Sequence, residues 1–285
     1  MPRFTFALKV CTVALCLLAF SFSAKAGDEF IYANNATFGQ AYVYQIDVTT
    51  GGNITNTYTV GGNNGRGVVQ VGNILYTTDA SDNHVYGYNI STNTNLGVVF
   101  SVAGASALST MAYDGTNFWI GDYSGTNNVY HYTPTGTLLG SVPLSGCTGF
   151  CDGLEYLAAN GGELLSNRAD ASGPNYDLYN LSGTLVTSNF IDAGANGCRS
   201  ATGIAFDGTN YFVSCNFNSL AEFSSTGAFI KIITVTGGSP LIEDLSANYS
   251  VVIPPPPPGV PEPATLSLLG LGLAGISFLR RKKTA

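Results

Sequence analysis

A hairpin-like pattern recurs along this chain about every 44 residues, and this repeat limits the possible folds more than any other sequence feature. Its clearest copies, at residues 112–120 and 205–213, each join two apolar runs through Asp-Gly-Thr-Asn. Gly and Asn tolerate positive φ, so this tetrapeptide favours a tight turn between two strands. Weaker copies lie at 71–76 and 157–165. The second strands of the units are predicted to begin near Phe30, Ile74, Phe118, Leu164 and Tyr211, spaced 44, 44, 46 and 47 residues apart.

A third strand is predicted after each hairpin, and most units continue through a Gly-bearing turn into a fourth extended stretch. These third strands fall at residues 43–46, 85–88, 129–132, 178–181 and 220–223. Three or four strands in one such unit are typical of a β-propeller blade. The sequence therefore predicts an all-β, propeller-like repeat domain of about five blades. The alternative is a β-sandwich or a solenoid, although a sandwich needs no strict repeat and a parallel solenoid has shorter coils.

The two ends of the repeat array indicate how the ring closes. The first unit begins at its second strand, residues 30–33, and lacks a first strand of its own. Residues 241–245, Leu-Ile-Glu-Asp-Leu, stand where a further first strand is expected. Pairing of these two segments would close the ring and remove the free sheet edges that invite aggregation. A sixth blade is the alternative if residues 249–253 begin another unit.

The N-terminal segment has the pattern of a secretory signal peptide. Arg3 and Lys9 flank an apolar run at 10–22, and Ala24-Lys25-Ala26 supplies the small residues that signal peptidase requires. Residues 1–26 are therefore predicted to be removed on export, with a retained membrane anchor as the alternative. Cys16 does not indicate a lipoprotein, because Leu15 precedes it where such signals carry a small residue.

The C-terminal segment combines a proline run, an apolar stretch and a basic cluster. The prolines at 254–258 predict a stiff polyproline spacer over residues 254–259, which separates a domain at 27–253 from a tail at 260–285. Residues 264–279 are apolar or small and would span ~24 Å as a helix, slightly less than a ~30 Å hydrocarbon core. Cations after such a helix stay cytoplasmic, so the domain is predicted to lie outside the inner membrane.

This tail resembles the PEP-CTERM sorting signal of Gram-negative bacteria. The resemblance rests on Pro261, Glu262 and Pro263, the apolar stretch, and Arg280, Arg281, Lys282 and Lys283. It implies recognition by an exosortase, an integral-membrane cysteine protease, and an association with exopolysaccharide and the biofilm matrix. The mature protein would then be exposed at the cell surface or secreted. A simple C-terminal membrane anchor, without cleavage, is the alternative.

Charge and cysteine content limit the partners and the compartment. Residues 27–259 hold four cations and seventeen carboxylates, a net charge of −13, so nucleic acid and anionic lipid would be repelled. Four cysteines remain in this region: Cys147, Cys151, Cys198 and Cys215. In an oxidising compartment they predict disulfides with three possible connectivities, of which a Cys198–Cys215 bridge across a strand pair is one candidate. A zinc site is the rival interpretation.

Much of the scarce charge lies in segments that lead into the first strands or leave the second strands, and in a propeller these segments converge on one face. The residues concerned are Arg66, Asp79, Asp122, Asp152, Glu155, Arg168, Asp170, Arg199, Glu243 and Asp244. Such a ring could hold a sugar acid, or a calcium ion through carboxylate and carbonyl oxygens. The alternative is a set of ion pairs and turn caps.

The sequence contains no catalytic triad, metal motif or Gly-x-Ser-x-Gly segment, so no catalytic residue is predicted. The leading hypothesis is a non-enzymatic surface or matrix protein whose propeller serves as a binding and display module, without a cofactor. The competing hypothesis is a calcium-dependent lactonase-like or lyase-like enzyme that acts on sugar acids.

Overall fold

The computed structural model describes residues 30–123, 126–147, 151–168, 175–238 and 240–249, apart from the side chains of Cys151 and Arg168. The predicted signal peptide, the proline spacer and the sorting tail lie outside these residues. Within the described part of the chain, no helix has the length and apolar character needed to cross a membrane.

The described residues form strands and two single-turn 3₁₀ helices, at Ala159–Gly161 and Gly194–Asn196. In chain order the strands are β1 (Phe30–Asn35), β2 (Tyr42–Asp47), β3 (Asn53–Thr59), β4 (Gly65–Val71), β5 (Ile74–Asp79), β6 (His84–Asn89), β7 (Thr94–Ser101), β8 (Leu108–Tyr113), β9 (Phe118–Asp122), β10 (Asn128–Tyr132), β11 (Leu138–Pro143), β12 (Cys151–Leu157), β13 (Glu163–Arg168), β14 (Asn175–Asn180), β15 (Leu185–Asp192), β16 (Ile204–Phe206), β17 (Asn210–Cys215), β18 (Ser219–Ser224), β19 (Phe229–Thr234), β20 (Ile242–Ser246) and β21 (Asn248–Tyr249).

These strands make five sheets, which are the five blades of a β-propeller. Blade one has the strand order β20-β1-β2-β3, and blade two has β4-β5-β6-β7 with β21 added beside β4. Blades three, four and five are β8–β11, β12–β15 and β16–β19, each in chain order. The first strands β20, β4, β8, β12 and β16 contact one another in turn and surround the axis. The predicted all-β, five-bladed fold is confirmed.

The sequence repeat predicted the positions of the strands accurately. The second strands begin at Phe30, Ile74, Phe118, Glu163 and Asn210, within one residue of the predicted positions. The predicted third strands correspond to β2, β6, β10, β14 and β18, except that Leu181 follows the end of β14. Asn180 explains that end, because its side-chain oxygen accepts hydrogen bonds from the backbone N–H groups of Ser182 and Thr184 and so starts a turn.

The Asp-Gly-Thr-Asn segments form the turns that their composition predicts. In blade three, the carboxylate of Asp114 accepts hydrogen bonds from the backbone N–H groups of Thr116 and Asn117, at 2.8 and 2.7 Å. Gly115, between Asp114 and Thr116, has φ +93°, a conformation that strongly favours glycine. The same arrangement recurs at Asp207 in blade five. The turn is thus stabilised by its own side chain.

The C-terminal strand closes the ring. Strand β20 pairs antiparallel with β1, with Ala33 opposite Leu245, as predicted. The alternative of a sixth blade is wrong, because the residues described after β20 do not start a new sheet. Instead β21 pairs in parallel with β4, with Tyr249 opposite Val71, and adds a short fifth strand to blade two.

The apolar core is divided into five clusters, one between each pair of neighbouring blades. Ile31 of blade one packs with Phe212 of blade five, for example, and Phe100 of blade two packs with Phe118 of blade three. The outermost strands are largely exposed. Each blade is therefore stabilised by both of its neighbours, and blade one has its second neighbour only because the ring is closed.

A disulfide joins Cys198 to Cys215, with the Cα atoms 4.7 Å apart. It links the loop before β16 to the end of β17, and both cysteines are buried. This pairing confirms one of the three connectivities and leaves these two thiols unable to bind zinc. Cys147 is also disulfide-bonded, whereas the side chain of Cys151 lies outside the described residues.

The disulfide makes a first prediction. A Cys198→Ala/Cys215→Ala variant should lose about 3 kcal/mol of unfolding free energy, because a closed loop of this length restricts the unfolded chain by about that amount. Urea unfolding under non-reducing conditions measures the change, with the reduced parent as the control. An unchanged unfolding midpoint would contradict the expectation.

The closing strand makes a second prediction. A chain that stops at residue 240 lacks β20 and leaves the inner edge of β1 unpaired. We expect it to aggregate or to unfold without a single cooperative transition, whereas a matched chain that stops at residue 253 should unfold cooperatively. Circular dichroism and analytical size exclusion would compare the two. Equal stability of both truncated chains would show that closure by β20 is dispensable.

Candidate functional site

The first strands bring several of the predicted site residues together at the axis. Arg66 lies on β4, Asp152 on β12, and Glu243 and Asp244 are consecutive on β20. The guanidinium of Arg66 contacts the carboxylate of Glu243 at 2.5 Å, from Nη1 to Oε1, and lies over the ring of Tyr123, 4.9 Å from its centroid. Ring closure therefore places an ion pair across the junction of blades one and two.

Burial controls the protonation of the two carboxyl groups nearest to Arg66. Burial and then the neighbouring Asp152 carboxylate raise the pKa of Glu243 to about 7, against the lowering effect of Arg66. Burial also raises the pKa of Asp152, again opposed by Arg66. The two carboxyl groups also share a hydrogen bond, so their titrations depend on each other.

Asp244 joins three blades. Its Oδ2 atom accepts hydrogen bonds from the hydroxyl of Thr110 at 3.0 Å and from the backbone N–H groups of Val68 and Met111, at 3.2 and 3.3 Å. Asp244 is only 2% exposed, and this burial raises its pKa well above the usual range. The side chain thus connects the closing strand to β4 and β8, which is a structural task.

The other predicted axial residues lie elsewhere. Asp79 accepts hydrogen bonds from the backbone N–H groups of Asn63, Asn64 and Ser81 and so caps a turn. Asp122 accepts a hydrogen bond from the hydroxyl of Thr126 at 2.5 Å. Arg199 is exposed and uses its backbone N–H to contact Asn216.

The side chain of Arg168 and all of Asp170 lie outside the described residues. Within those residues, no group of three or more His, Cys, Asp or Glu side chains is placed to hold a metal ion. A ligand-binding role for the axial residues remains a prediction.

Glu155 belongs to a second polar cluster. This cluster lies towards the opposite face of the propeller from the one predicted for Glu155. It lies in the second half of β12 and is 2% exposed. Its Oε1 atom accepts a 2.5 Å hydrogen bond from the hydroxyl of Tyr249, and its Oε2 atom accepts one from the backbone N–H of Phe206 at 2.8 Å. Burial raises the pKa of Glu155 to about 7. Glu155 thus fixes the last described strand, β21, to blades four and five.

Beside Tyr249 lies a groove of about 790 Å³ that the sequence analysis did not identify. It is lined by the turns between the first and second strands of blades three, four and five, by Ser225 and by the segment 247–249. Its lining side chains include Tyr113, Asp114, Tyr156, Phe206, Asp207, Tyr211 and Tyr249. A volume of this size is in the range of small-ligand sites.

The signal for this groove was present in the sequence in a weak form. An aromatic residue stands directly before each Asp-Gly-Thr-Asn turn, as Tyr113 and Phe206, and Tyr156 occupies the related place in blade four. The composition of these turns predicts a structural role alone, which their hydrogen bonds support. The repeat does not predict the distance between the turns of neighbouring blades, because that distance depends on the closure of the ring.

Comparison with known protein families identifies the C-terminal region. Residues 259–283 match the model of the PEP-CTERM protein-sorting motif. The chain carries a PEP-CTERM sorting motif. The motif marks an exported, envelope-directed protein and implies processing by an exosortase-type membrane protease, so it accounts for the Pro-Glu-Pro and basic residues of the tail. The match covers the tail and does not extend to the propeller that precedes the sorting motif.

Solved structures support the fold of that propeller. A chain in the crystal structure of a nidogen/laminin complex is similar to this chain at 12% identity and a TM-score of 0.54, over 78% of this chain and 98% of the other. A protein of unknown function from Bacteroides caccae is similar at 14% identity and a TM-score of 0.50, over 78% and 99%. Identities this low show the fold alone. A search of curated proteins gave no match.

The buried carboxyl groups predict a pH dependence. The pKa of Glu155 rises from 4.5 to about 7 on folding, so the folded state binds its proton more tightly than the unfolded state does. Stability from this group is complete below pH 4.5 and is lost as the pH rises to about 7, by an amount on the order of 3 kcal/mol. The unfolding free energy should therefore fall between pH 5 and pH 8.

A substitution isolates the contribution of Glu155. Glu155→Gln keeps the shape of the side chain and removes its titration, so the fall between pH 5 and pH 8 should become smaller. Asp192→Asn, which alters an exposed carboxylate, is the matched control and should leave the profile as it is. Urea unfolding at several pH values provides the measurement. Parallel profiles for the parent and Glu155→Gln would contradict the assignment.

Proposed function

We propose that this protein is exported, processed at both ends and displayed at the cell surface or in the extracellular matrix as a non-catalytic propeller for binding and scaffolding. Its partners in processing are signal peptidase and an exosortase-type protease, and its setting is an exopolysaccharide-containing matrix. The observation that carries the proposal is the sorting motif at 259–283, joined by a proline spacer to a closed propeller.

The order of the segments supports this route. The signal peptide at 1–26 would start export, and the apolar stretch with its basic cluster would hold the chain in the inner membrane until processing. The propeller at 27–253 would fold outside, where the Cys198–Cys215 disulfide is favoured. The spacer at 254–259 would keep the folded domain clear of the protease.

The axial residues support a structural interpretation over a catalytic one. Glu243 is paired with Arg66, and Asp244 accepts hydrogen bonds from blades two and three. Asp152 is only 8% exposed. A calcium-dependent lactonase-like or lyase-like enzyme would need these carboxylates to bind a metal ion or a substrate, whereas the Oε1 atom of Glu243 and the Oδ2 atom of Asp244 are already engaged with protein groups.

Intact-mass measurement of the protein from its native envelope tests the proposal. Loss of residues 1–26 and of the tail beyond the Pro-Glu-Pro region is the expected result for the parent chain. Pro261→Ala/Glu262→Ala/Pro263→Ala should retain the tail and stay in the membrane fraction. The matched control is Pro255→Ala/Pro256→Ala/Pro257→Ala, which alters the spacer and should be processed. A parent chain that keeps its tail in the membrane would instead establish a simple anchor.

A further inference from the structure

The groove beside Tyr249 combines exposed aromatic surface with hydrogen-bond acceptors. Tyr113 and Tyr249 have ring centroids 6.0 Å apart, and Phe206 lies against Tyr211 with centroids 4.6 Å apart. Tyr113, Phe206 and Tyr249 are half-buried, so parts of their rings face the groove. Aromatic rings present an apolar face, and tyrosine adds a polar edge. A ligand for this groove must therefore have apolar faces and polar edges.

The charged groups of the groove restrict the ligand further. Asp114 and Asp207 line it, whereas its described lining includes no lysine or arginine. The carboxylate of Asp114 is already engaged, because its Oδ1 atom accepts the turn's N–H groups and its Oδ2 atom lies 3.0 Å from Nε2 of His131. Within the described residues, the Oδ2 atom of Asp207 is buried without a hydrogen-bond donor, because the turn's N–H groups use Oδ1. A buried acceptor without a donor is unfavourable. The groove therefore favours a ligand that donates hydrogen bonds and disfavours an anion.

From these features we propose that the groove binds a neutral saccharide, whose sugar rings lie on the aromatic side chains and one of whose hydroxyl groups donates to Asp207. The inference rests on the proposed function as a matrix-binding propeller and gives that function a site and a ligand class. Acidic saccharides fit poorly, because the region from 27 to 259 has a net charge of −13 and the carboxylates of the groove would repel them.

The chain's own proline run is the main competing occupant, since it begins five residues after Tyr249. Polyproline segments do bind aromatic-lined grooves. Proline, however, has no backbone N–H, so a proline run cannot supply the hydrogen bond that the Oδ2 atom of Asp207 can accept. A saccharide has both the apolar faces and the donors, which is why the groove favours it.

Isothermal titration calorimetry on the processed protein tests the inference, with cellohexaose and maltohexaose as neutral probes and hexagalacturonate as the acidic probe. Ala158 is exposed at the rim, so Ala158→Trp fills the groove without removing a core contact. Tyr113→Ala removes one stacking surface. Each variant should bind a neutral probe about tenfold more weakly than the parent. Phe38→Ala is the matched control, because Phe38 is a 73% exposed aromatic residue outside the groove, and it should bind as the parent does.

Several outcomes would overturn the inference. Equal neutral-saccharide binding by the parent and Ala158→Trp would place the site elsewhere, and preference for the acidic probe would exclude the proposed chemistry. Binding only after residues 254–258 are replaced by Gly and Ser would show that the proline run occupies the groove. Failure of both neutral probes to bind would also overturn the inference of a saccharide site. None of these results alters the processing measured by intact mass, so the proposed export and sorting are judged separately.

Discussion

Closure of the ring by β20 is the interaction on which the rest of the structure depends. Strand β1 at residue 30 receives its inner neighbour from residues 242–246, so blade one exists only when the two ends of the domain meet. The apolar clusters on both sides of blade one depend on the same pairing. A contact across more than 200 residues is costly in chain entropy, and the gain is a sheet array with no open junction between blades.

The closing strand also carries the charged residues that hold the axis together. Glu243 reaches Arg66 in blade two, and Asp244 reaches backbone N–H groups in blades two and three. Buried polar and ionisable groups cost free energy unless they are hydrogen-bonded or paired, so these side chains can be accommodated only where the closed ring supplies their partners. The polar side chains of β20 meet their partners only when β20 pairs with β1 in the correct register, whereas a purely apolar strand would not depend on register in this way. We infer that the polar residues of β20 select the register in which the ends join.

The sequence predicted the fold well because a repeat reports local hairpins and their order, and both survive unchanged in the propeller. The starts of the second strands and the role of residues 241–245 followed from spacing alone. The site was harder to predict than the fold, because Glu155 and Glu243 both lie in inner strands but at different depths along the propeller axis. Depth, and the distance between turns of neighbouring blades, depend on tertiary packing. The contact between Tyr249 and Glu155 joins residues 94 positions apart and has no local signal.

The path of the chain out of the ring links the propeller to its sorting motif. Tyr249 is fixed by Glu155 and lines the aromatic groove, so the chain leaves the described structure on the groove side of the propeller. If the tail holds the precursor in the inner membrane as proposed, the groove lies on the side of the domain from which the chain continues to the anchored tail. Proteolysis beyond the Pro-Glu-Pro region would then free the groove from that anchor. Sorting and ligand binding would be ordered in time, because a matrix saccharide reaches the groove most readily after release.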